Sequence, residues 1–476
     1  MKVVPLLIAL IILVGGGRGV SAFGQSEEAP EAAGPEALTC SPAPCVLLPT
    51  QASEGGSIVT DTPIVTNPLD QGELLLGSVD FNCYPSGVGF HLSRDGGSTW
   101  TRVLCMPFID TKNYTYVPLG EPSVGYDRKG TAYAAGVYYD DDAYGTGFVG
   151  VQKSSNGTDW GKPVVALGRV GYVAPFDTSL AVDASPHSPR VDSLYVSGVG
   201  PFRAVHGKSQ VWASRSVDGG ATWAQTAVDP VQLYPEEDRL NRIAVGKDGT
   251  VYVTWLHCRG KKGGGDGGAL CPTAHMMFSK SADGGNTWSE AQRIAAVGMP
   301  HYWELPHTKY DERVLDYPVI AVDNSSGPHA GNLYVAMYTW TGTYLRVQVI
   351  RSTDGGTTWS QPVRLAPPTD THDQFFPAIS VSPTGVAGVS WLDRRNDPAN
   401  IDYQAFAAFS DDGGQHFGTN WQLTQEFSNP DTNGDFNWMG DYTGNTWRGD
   451  NVFIAAWMDS SNGVDMQEVV GEVRLK

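Results

Sequence analysis

The octet Ser93-Arg94-Asp95-Gly96-Gly97-Ser98-Thr99-Trp100 decides the fold because its pattern returns along the chain. The pattern Ser-x-Asp-Gly-Gly-x-Thr-Trp is complete again at 216–223, 281–288 and 352–359. A variant ends in Phe417, and a shortened copy occupies 154–160. The six copies start at residues 93, 154, 216, 281, 352 and 410, and this even spacing indicates a repeat architecture.

Each octet predicts a tight turn between two antiparallel strands. Its Asp-Gly-Gly core supplies positions that tolerate left-handed or strained backbone. The Asp and Ser side chains can cap the N–H groups of the turn, and the Trp can pack beneath it. We therefore interpret the octet as a folding device and do not assign its Asp a catalytic role.

The octets resemble the Asp box, or BNR repeat, of sialidase-like β-propellers, and the resemblance covers nearly the whole chain after its N-terminal segment. It implies an all-β fold, a single propeller of four-stranded antiparallel blades. The motif is very specific for fold and weakly specific for activity, because Asp boxes occur in sialidases, in other glycosidases and in non-catalytic propellers.

Strand patterns around the octets set the number of blades. Short β-branched and aromatic runs precede each octet, and the runs 442–447, 451–457 and 468–475 form a seventh unit without an octet. This last unit lacks a fourth strand, which residues 57–60 could supply, closing the ring and removing the exposed sheet edges. The count favours seven blades, with six, as in sialidases, as the alternative.

The N-terminus has the pattern of an export signal. Met1-Lys2 is followed by an apolar run over 3–14 and by Val20-Ser21-Ala22, so we expect a signal peptide at 1–22. The apolar run is too short for a spanning helix, although an uncleaved anchor is the alternative. Residues 23–57, rich in Glu, Ala, Pro and Ser, predict a flexible acidic leader, and 58–476 the propeller.

Composition excludes several classes of protein. The 476 residues carry 32 basic and 51 acidic side chains, a net charge of −19, which leaves no basic surface for nucleic acid. A charged fraction of 17% beside 41% apolar residues excludes global disorder. We expect a monomer that is secreted or periplasmic, with no membrane span in the mature chain.

Six cysteines agree with an oxidising compartment and fall into three pairs that are close in sequence. We predict the disulfides Cys40–Cys45, Cys83–Cys105 and Cys258–Cys271. The last two cysteines could instead hold a metal, but their spacing matches no zinc pattern. The disulfide is therefore favoured.

The face opposite the octets should carry the ligand, because it gathers the loops that enter the first strands and follow the second. These loops are acidic and aromatic with a few arginines, which suits a sugar or a cation. In the loop 301–307, Tyr302 and Trp303 could stack on a sugar and Glu304 could donate a proton. Trp340 is a further stacking candidate, and plain loop packing is the alternative for this loop.

The loop 393–397 mixes two arginines with two carboxylates and is the strongest single candidate for substrate contact. We assign Asp393 and Arg395 to catalysis and Arg394 to substrate binding. The alternative is mutual pairing, because structural ion pairs also gather in clefts.

The loop 429–435 presents alternating hard oxygens around a glycine, as calcium loops do. Asp431, Asn433 and Asp435 are its candidate Ca²⁺ ligands, although the bidentate Glu of an EF-hand is missing. A solvated turn is the alternative. No other cofactor is required.

The family resemblance implies an arginine cluster for a substrate carboxylate, a Tyr nucleophile helped by Glu, and an Asp acid/base. A guanidinium matches a carboxylate bidentately, and a neutral Tyr does not repel an anionic sugar. The family's N-terminal Arg-Ile-Pro motif is absent here, since residues 61–65 read Asp-Thr-Pro-Ile-Val. The remaining catalytic candidates are Arg242, Glu121, Tyr317 and Tyr442, with Tyr442–Glu121 or Tyr317–Glu304 as the pair.

The sequence thus predicts an exported, sialidase-like propeller that acts on a glycan or glycoprotein, as a glycoside hydrolase of the exo-sialidase type. A non-catalytic propeller that binds a glycan or a protein is the alternative, and a purely structural envelope component is a third. A cluster of three arginines in a deep pocket would favour the enzyme, and a shallow central channel with an exposed Trp340 or Trp303 would favour the binding propeller.

Overall fold

The computed structural model describes residues 43–140, 146–200, 208–233, 235–259, 271, 273–436 and 438–476. Seven small antiparallel sheets form a seven-bladed β-propeller, so the predicted fold and blade number are confirmed. The first strands of neighbouring blades contact one another, which places them around the central channel. The predicted signal peptide 1–22 and the leader as far as residue 42 lie outside the described residues.

The first three blades follow the chain, each from its channel strand outwards. Blade 1 consists of Val59–Thr60, Ile64–Thr66, Leu74–Asp80, Val88–Ser93 and Thr101–Cys105. Blade 2 consists of Thr115–Tyr126, Ala132–Asp140, Thr146–Ser154 and Val164–Val173, and the added short strand Ile109–Asp110 pairs with the first of these. Blade 3 consists of Phe176–Val182, Leu194–Val199, Val211–Ser216 and Ala224–Ala227.

Blades 4 to 6 repeat the same order of four strands. Blade 4 consists of Glu236–Val245, Val251–Arg259, Thr273–Ser281 and Gln292–Gly298. Blade 5 consists of Val319–Val322, Leu333–Trp340, Leu345–Ser352 and Val363–Arg364. Blade 6 consists of Gln374–Val381, Ala387–Asp393, Gln404–Ser410 and Trp421–Gln422.

Short elements lie in the connections between these strands. Lys208–Ser209 and Gln232–Leu233 pair as a small ribbon beside blade 3. Short 3-10 helices occupy Phe81–Cys83, His301–Trp303 and Pro430–Phe436.

Blade 7 closes the ring with strands from both ends of the described chain. Gly444–Arg448, Val452–Asp459 and Gln467–Arg474 are its first three strands. The fourth is split into Cys45–Val46 and Thr50–Gln51, which pair with the third. Pro49, which lacks an N–H for a ladder, separates the two pieces.

The closing strand therefore lies earlier in the chain than the sequence predicted. Residues 57–60 were expected to supply it, but Val59–Thr60 pairs inside blade 1, opposite Val79 and Asp80. Residues 45–51, assigned to the flexible leader, are instead part of blade 7. The assignment of these residues to the leader was wrong because the strand consists of only two pairs of residues on either side of a proline, which shows no strand pattern in the sequence.

The octets form the expected capped turns. In the first octet the hydroxyl of Ser93 donates to Asp95 at 2.9 Å and accepts the N–H of Gly97 at 2.8 Å. Asp95 accepts the N–H of Thr99 at 2.8 Å, and the Trp100 indole donates to the carbonyl of Gly97 at 3.0 Å. Both glycines of this octet have positive φ angles, so only glycine fits there without strain.

A belt of cations links the octets around the ring. At six blade junctions an Arg or Lys donates to a backbone carbonyl inside the octet of the next blade. The donor–acceptor pairs of this cation belt are Arg94–Asn156, Lys153–Gly219, Arg215–Gly284, Lys280–Gly355, Arg351–Gly413 and Arg448–Gly96. Blade 7 has no octet, so the junction from blade 6 to blade 7 offers no such carbonyl.

Buried tryptophans on second strands help to fill the core of blades 4, 6 and 7. Trp255, Trp391 and Trp457 are at most 2% exposed. Each indole N–H is bound by a buried carboxylate: Trp255 by Asp238, Trp391 by Asp393, and Trp457 by Asp459. The Trp-x-Asp pair of blade 6 therefore has an equivalent in blade 7.

Two of the predicted disulfides, Cys83–Cys105 and Cys258–Cys271, are present. Cys45 is also disulfide-bonded, while its predicted partner Cys40 lies outside the described residues. Within the described ranges, no helix has the length and apolar character needed to cross a membrane.

Candidate active site

The inner strands bulge where they reach the mouth of the channel. In blades 2, 3, 4 and 6 the pairing of the first strand with the second slips at this point. Non-glycine residues there, and at the same place in blade 1, have left-handed backbone with φ between 48° and 60°. They are Asp61, Glu121, Asp177, Leu240 and Phe376. Because a bulge re-aims side chains, this repeated distortion gathers three carboxyl groups at the mouth.

Two tyrosines span the channel from its opposite side. Tyr317 of blade 5 and Tyr442 of blade 7 are 3% and 6% exposed, and their rings meet edge to face at 5.5 Å. The Tyr317 hydroxyl donates to Asp177 of blade 3 at 3.2 Å. The Tyr442 hydroxyl donates to the carbonyl of Pro122 in blade 2 at 2.8 Å. Only the first acceptor, a carboxylate, can take up a proton.

Arg242 of blade 4 lies against both tyrosine rings. Its guanidinium carbon is 3.7 Å from the ring centre of Tyr317 and 4.5 Å from that of Tyr442. Its hydrogen bond goes to the neighbouring carbonyl of Asn241, at 3.0 Å, and among the described residues it has no carboxylate ion pair. Burial raises the pKa of both phenols well above the usual range, and the charge of Arg242 opposes that rise.

Two further arginines flank the tyrosines, each held by carboxylates. Arg239 binds Asp177 at 3.1 Å and Glu237 at 3.4 Å, and its guanidinium faces the Trp303 ring at 5.4 Å. The carboxylate that accepts the Tyr317 hydrogen bond is therefore also bound by Arg239.

Arg313 makes a bidentate ion pair with Asp441 of blade 7, and its guanidinium lies 5.9 Å from the Trp438 ring. About half of the Arg313 side chain is exposed, at 49%. The backbone N–H of Asp441 in turn donates to Asp61 at 2.6 Å. Three arginines are thus present around the channel mouth, and Arg313 is open to solvent.

Two carboxyl groups of this cluster have a pKa raised above the usual range of a carboxyl group. Burial, then the negative charges of Asp177, Asp441 and Asp61, raise the pKa of Glu121 well above its usual range. Its Oε2 atom is buried and has no hydrogen-bond partner in the described part of the chain. Burial and then Asp441 raise the pKa of Asp61 to about 8. A buried carboxyl group with a raised pKa is suited to act as a general acid.

The two tyrosine pairs expected from the sequence are replaced by others. Tyr442 bonds to the carbonyl of Pro122, the residue after Glu121, rather than to the Glu121 carboxyl. Tyr317 bonds to Asp177, whereas Glu304 forms an isolated backbone bridge with Arg313. The acceptors differ because a hydrogen bond across the ring depends on how the blades face one another.

The loop after the second strand of blade 6 is braced inside its own blade. Asp393 is 1% exposed, accepts the Trp391 indole at 2.6 Å, and pairs with Arg395 at 2.5 Å. Arg395 also donates to Asn420 at 2.8 Å. Arg394 is fully buried against Asp373, at 3.2 Å. The charged residues of this loop therefore pair as the alternative interpretation expected. None of these contacts reaches Tyr317 or the carboxyl groups at the channel mouth.

The aromatic candidates divide between the site and the core. Trp303 reaches the cluster through Arg239. Trp340 is partly buried against the main core, and its backbone lies against Gly298. Burial raises the pKa of Glu304, with a further contribution from Asp311.

The predicted calcium loop braces a neighbouring loop. The carboxylate of Asp431 accepts the backbone N–H groups of Lys309 at 2.9 Å and Tyr310 at 3.1 Å. Asn433 donates to the carbonyl of Trp438 at 2.9 Å, and the side chain of Asp435 lies outside the described part. In the described part of the chain, no group of three or more His, Cys, Asp or Glu could hold a metal ion.

Sequence reasoning missed Asp177, Asp441 and Tyr139 as members of the site. The first occupies a mouth position and the second precedes one, so their place on the ring was visible in the repeat. Tyr139 packs on Phe176 at 5.4 Å, and burial, then Glu121 and Asp177, raise its pKa well above the usual range. No local signal marks it, because it lies near the end of the second strand of blade 2 and not at a mouth position of an inner strand.

No family model and no curated protein matches the chain. Among solved structures, a polysaccharide lyase, an ulvan lyase, is 12% identical and covers 88% of this chain and 95% of its own, with a TM-score of 0.50. The α-L-arabinofuranosidase of Fusarium graminearum is 13% identical, with coverages of 78% and 97% and a TM-score of 0.46. The intramolecular trans-sialidase of Ruminococcus gnavus is 13% identical, with coverages of 75% and 94% and a TM-score of 0.41. At such identities the likeness shows the fold alone.

Proposed function

We propose that the protein is an exported glycoside hydrolase of sialidase-like type that acts on the end of a glycan at the channel mouth. The observation that carries this proposal is the hydrogen bond from the Tyr317 hydroxyl to Asp177. A tyrosine with a carboxylate acceptor is an activated nucleophile, the arrangement in which an adjacent base takes the hydroxyl proton. A neutral nucleophile also suits an anionic sugar.

The three arginines support the enzyme over the binding protein. Arg242 carries no carboxylate partner in the described residues, so its positive charge remains available in the site. Arg313 is paired with Asp441 but is half exposed, so a substrate can reach it. A guanidinium can bind a carboxylate of the substrate bidentately. The sugar would then lie above the two tyrosines.

The reaction would run in two steps with balanced proton transfers. First, the Tyr317 oxygen bonds to the anomeric carbon while Asp177 takes its proton, and Glu121 protonates the departing glycosidic oxygen as that bond breaks. Next, Glu121 takes a proton from water, whose oxygen bonds to the anomeric carbon. The bond to Tyr317 breaks, and its oxygen recovers the proton from Asp177. The product would keep the anomeric configuration of the substrate.

Export is part of the proposal. The two disulfides support a compartment outside the cytoplasm, since such bonds persist in oxidising surroundings. The predicted signal peptide 1–22 agrees with this location.

A non-catalytic glycan- or protein-binding propeller is the second candidate. It is favoured by the ion pairs of Arg239 and Arg313, which already occupy two of the three guanidinium groups. The missing Arg-Ile-Pro motif points the same way.

Hydrolysis of aryl glycosides by the purified protein separates the two candidates. The panel would include a sialoside, a uronide and an arabinofuranoside, each with and without Ca²⁺. If the wild type releases the aryl group from one glycoside and Tyr317→Phe does not, the protein is an enzyme. Absence of release from every sugar by folded protein would favour the binding propeller.

A further inference from the structure

The connection 299–318 carries an exposed aromatic side chain on the mouth face of the propeller. It leads from the outer strand of blade 4 to the inner strand of blade 5, and its residues Trp303 and Arg313 reach the mouth of the channel. Tyr302 in this connection is 58% exposed, far above most tyrosines of the protein. An exposed aromatic ring beside a site is a candidate contact for a ligand.

The backbone holds this ring in an unfavourable conformation. Tyr302 and Trp303 are consecutive residues with φ angles of 54° and 60°, a left-handed region that bulky side chains rarely adopt. Surrounding hydrogen bonds enforce it: the N–H of Glu304 donates to the carbonyl of His301 at 3.1 Å, and that of Val314 to the carbonyl of Trp303 at 2.8 Å. Strain that the surroundings maintain tends to cluster at functional sites.

The strained pair connects directly to the proposed catalytic group. The ring of Trp303 faces Arg239, Arg239 binds Asp177, and Asp177 accepts the Tyr317 hydroxyl. On the other side the His301 ring stands perpendicular to Tyr302, with centres 4.0 Å apart. Trp303 therefore lies against the site, and Tyr302 lies on the rim just outside it.

We propose that Tyr302 is the stacking platform for the second sugar ring of the substrate, on the leaving-group side. This rests on the proposed function. A sugar presents an apolar face to an aromatic ring, and the rim position leaves room for the residue next to the cleaved bond. The substrate is accordingly an oligosaccharide, and simple glycosides of the same terminal sugar bind without this contact.

The test compares oligosaccharides with methyl glycosides of the same terminal sugar, using sialyllactose, arabinotriose and an oligogalacturonide. We expect Tyr302→Ala to lower kcat/KM for the cleaved oligosaccharide about tenfold, the effect of one aromatic contact. The methyl glycoside should be cleaved at the wild-type rate. Tyr302→Phe should keep the wild-type kcat/KM for the oligosaccharide, because the ring and not the hydroxyl makes the contact. Tyr84→Ala removes another tyrosine, 74% exposed on blade 1, and serves as the control.

Binding of the same oligosaccharides, measured by calorimetry, distinguishes the failure of this proposal from that of the proposed function. Binding without hydrolysis, weakened only in Tyr302→Ala, would support the platform and reject the enzyme. If the wild type hydrolyses both substrates and Tyr302→Ala lowers kcat/KM equally for the oligosaccharide and the methyl glycoside, or for neither, the platform is rejected and the enzyme is kept. Absence of both binding and hydrolysis would overturn both.

Discussion

The hydroxyl of Tyr317 on blade 5 donates a hydrogen bond to Asp177 on blade 3, 140 residues away in the chain, at 3.2 Å. The bond crosses the central channel, and Arg239 holds the same carboxylate from blade 4. Ring closure thus assembles a phenol, a carboxylate and a guanidinium from three blades. This constellation gives the propeller a candidate nucleophile with its base.

Glu121→Gln should slow cleavage according to the leaving group. Because the amide cannot donate a proton as an acid does, poor leaving groups should lose about 10²–10⁴-fold in rate. Aryl glycosides with acidic phenols need less protonation and should lose much less. Rates for a series of aryl leaving groups check this. Equal losses across the series would remove Glu121 from the role of general acid.

Glu468→Gln should stabilise the protein increasingly as the pH rises. Glu468 is fully buried, 3.3 Å from His91, and burial, then Asp80 and Asp61, raise its pKa well above the usual range. The folded state therefore keeps a proton that the unfolded chain loses above the ordinary pKa of Glu, so its contribution to stability falls as pH rises.

The melting temperature of Glu468→Gln should match that of the wild type near pH 4.5. By pH 8 it should exceed the wild-type value by several degrees. Glu426→Gln, at an exposed position, is the matched control and should show no such divergence. A constant gap between Glu468→Gln and the wild type across this range would contradict the assignment.

Lys280→Met should weaken the cation belt. The Lys280 ammonium donates to the carbonyl of Gly355 in the next octet at 2.7 Å. Loss of one such hydrogen bond should cost about 1 kcal/mol of the free energy of unfolding. In a domain of this size that lowers the melting temperature by about 2 °C. Lys112→Met replaces an exposed lysine and should leave the melting temperature unchanged. Equal effects of the two substitutions on the melting temperature would show that the cation belt does not stabilise the ring.

Removal of the closing strand should open the ring. A chain that starts at residue 53 lacks Cys45–Val46 and Thr50–Gln51, which leaves the third strand of blade 7 as an exposed edge. We expect a lower melting temperature and self-association through that edge. A chain that starts at residue 43 lacks Cys40 but keeps the strand, so it separates the disulfide from the pairing. If the two shortened chains have the same melting temperature, closure of the ring does not depend on this strand.

The fold was predictable because its determinants are local. Each octet specifies its own turn through Ser, Asp, two glycines and Trp, and the repeat of these turns specifies the blades. The closing strand was placed too late because Pro49 splits it into pieces too short to show a strand pattern. Its partner lies more than 400 residues away in the chain.

The site was predictable only in part because its contacts are long-range. Arg242, Glu121, Tyr317 and Tyr442 were selected from their positions on the inner strands, and the structure brings them together. The choice of Asp177 as the partner of Tyr317 depends on how blades 3 and 5 face each other. Asp393 was selected for its charge, although the pattern Trp457-Met458-Asp459 repeats Trp391-Leu392-Asp393 and indicates a structural pair.

The most direct test of this account is the rate of hydrolysis of the panel by the wild type, Tyr317→Phe and Tyr442→Phe. Both substitutions remove one hydroxyl from adjacent buried rings, but only Tyr317 has a carboxylate that can accept its proton. We predict loss of activity in Tyr317→Phe, by at least about 10³-fold. Tyr442→Phe should retain most of the wild-type rate. Wild-type activity in Tyr317→Phe, or its loss only in Tyr442→Phe, would contradict the assignment of Tyr317 as the nucleophile.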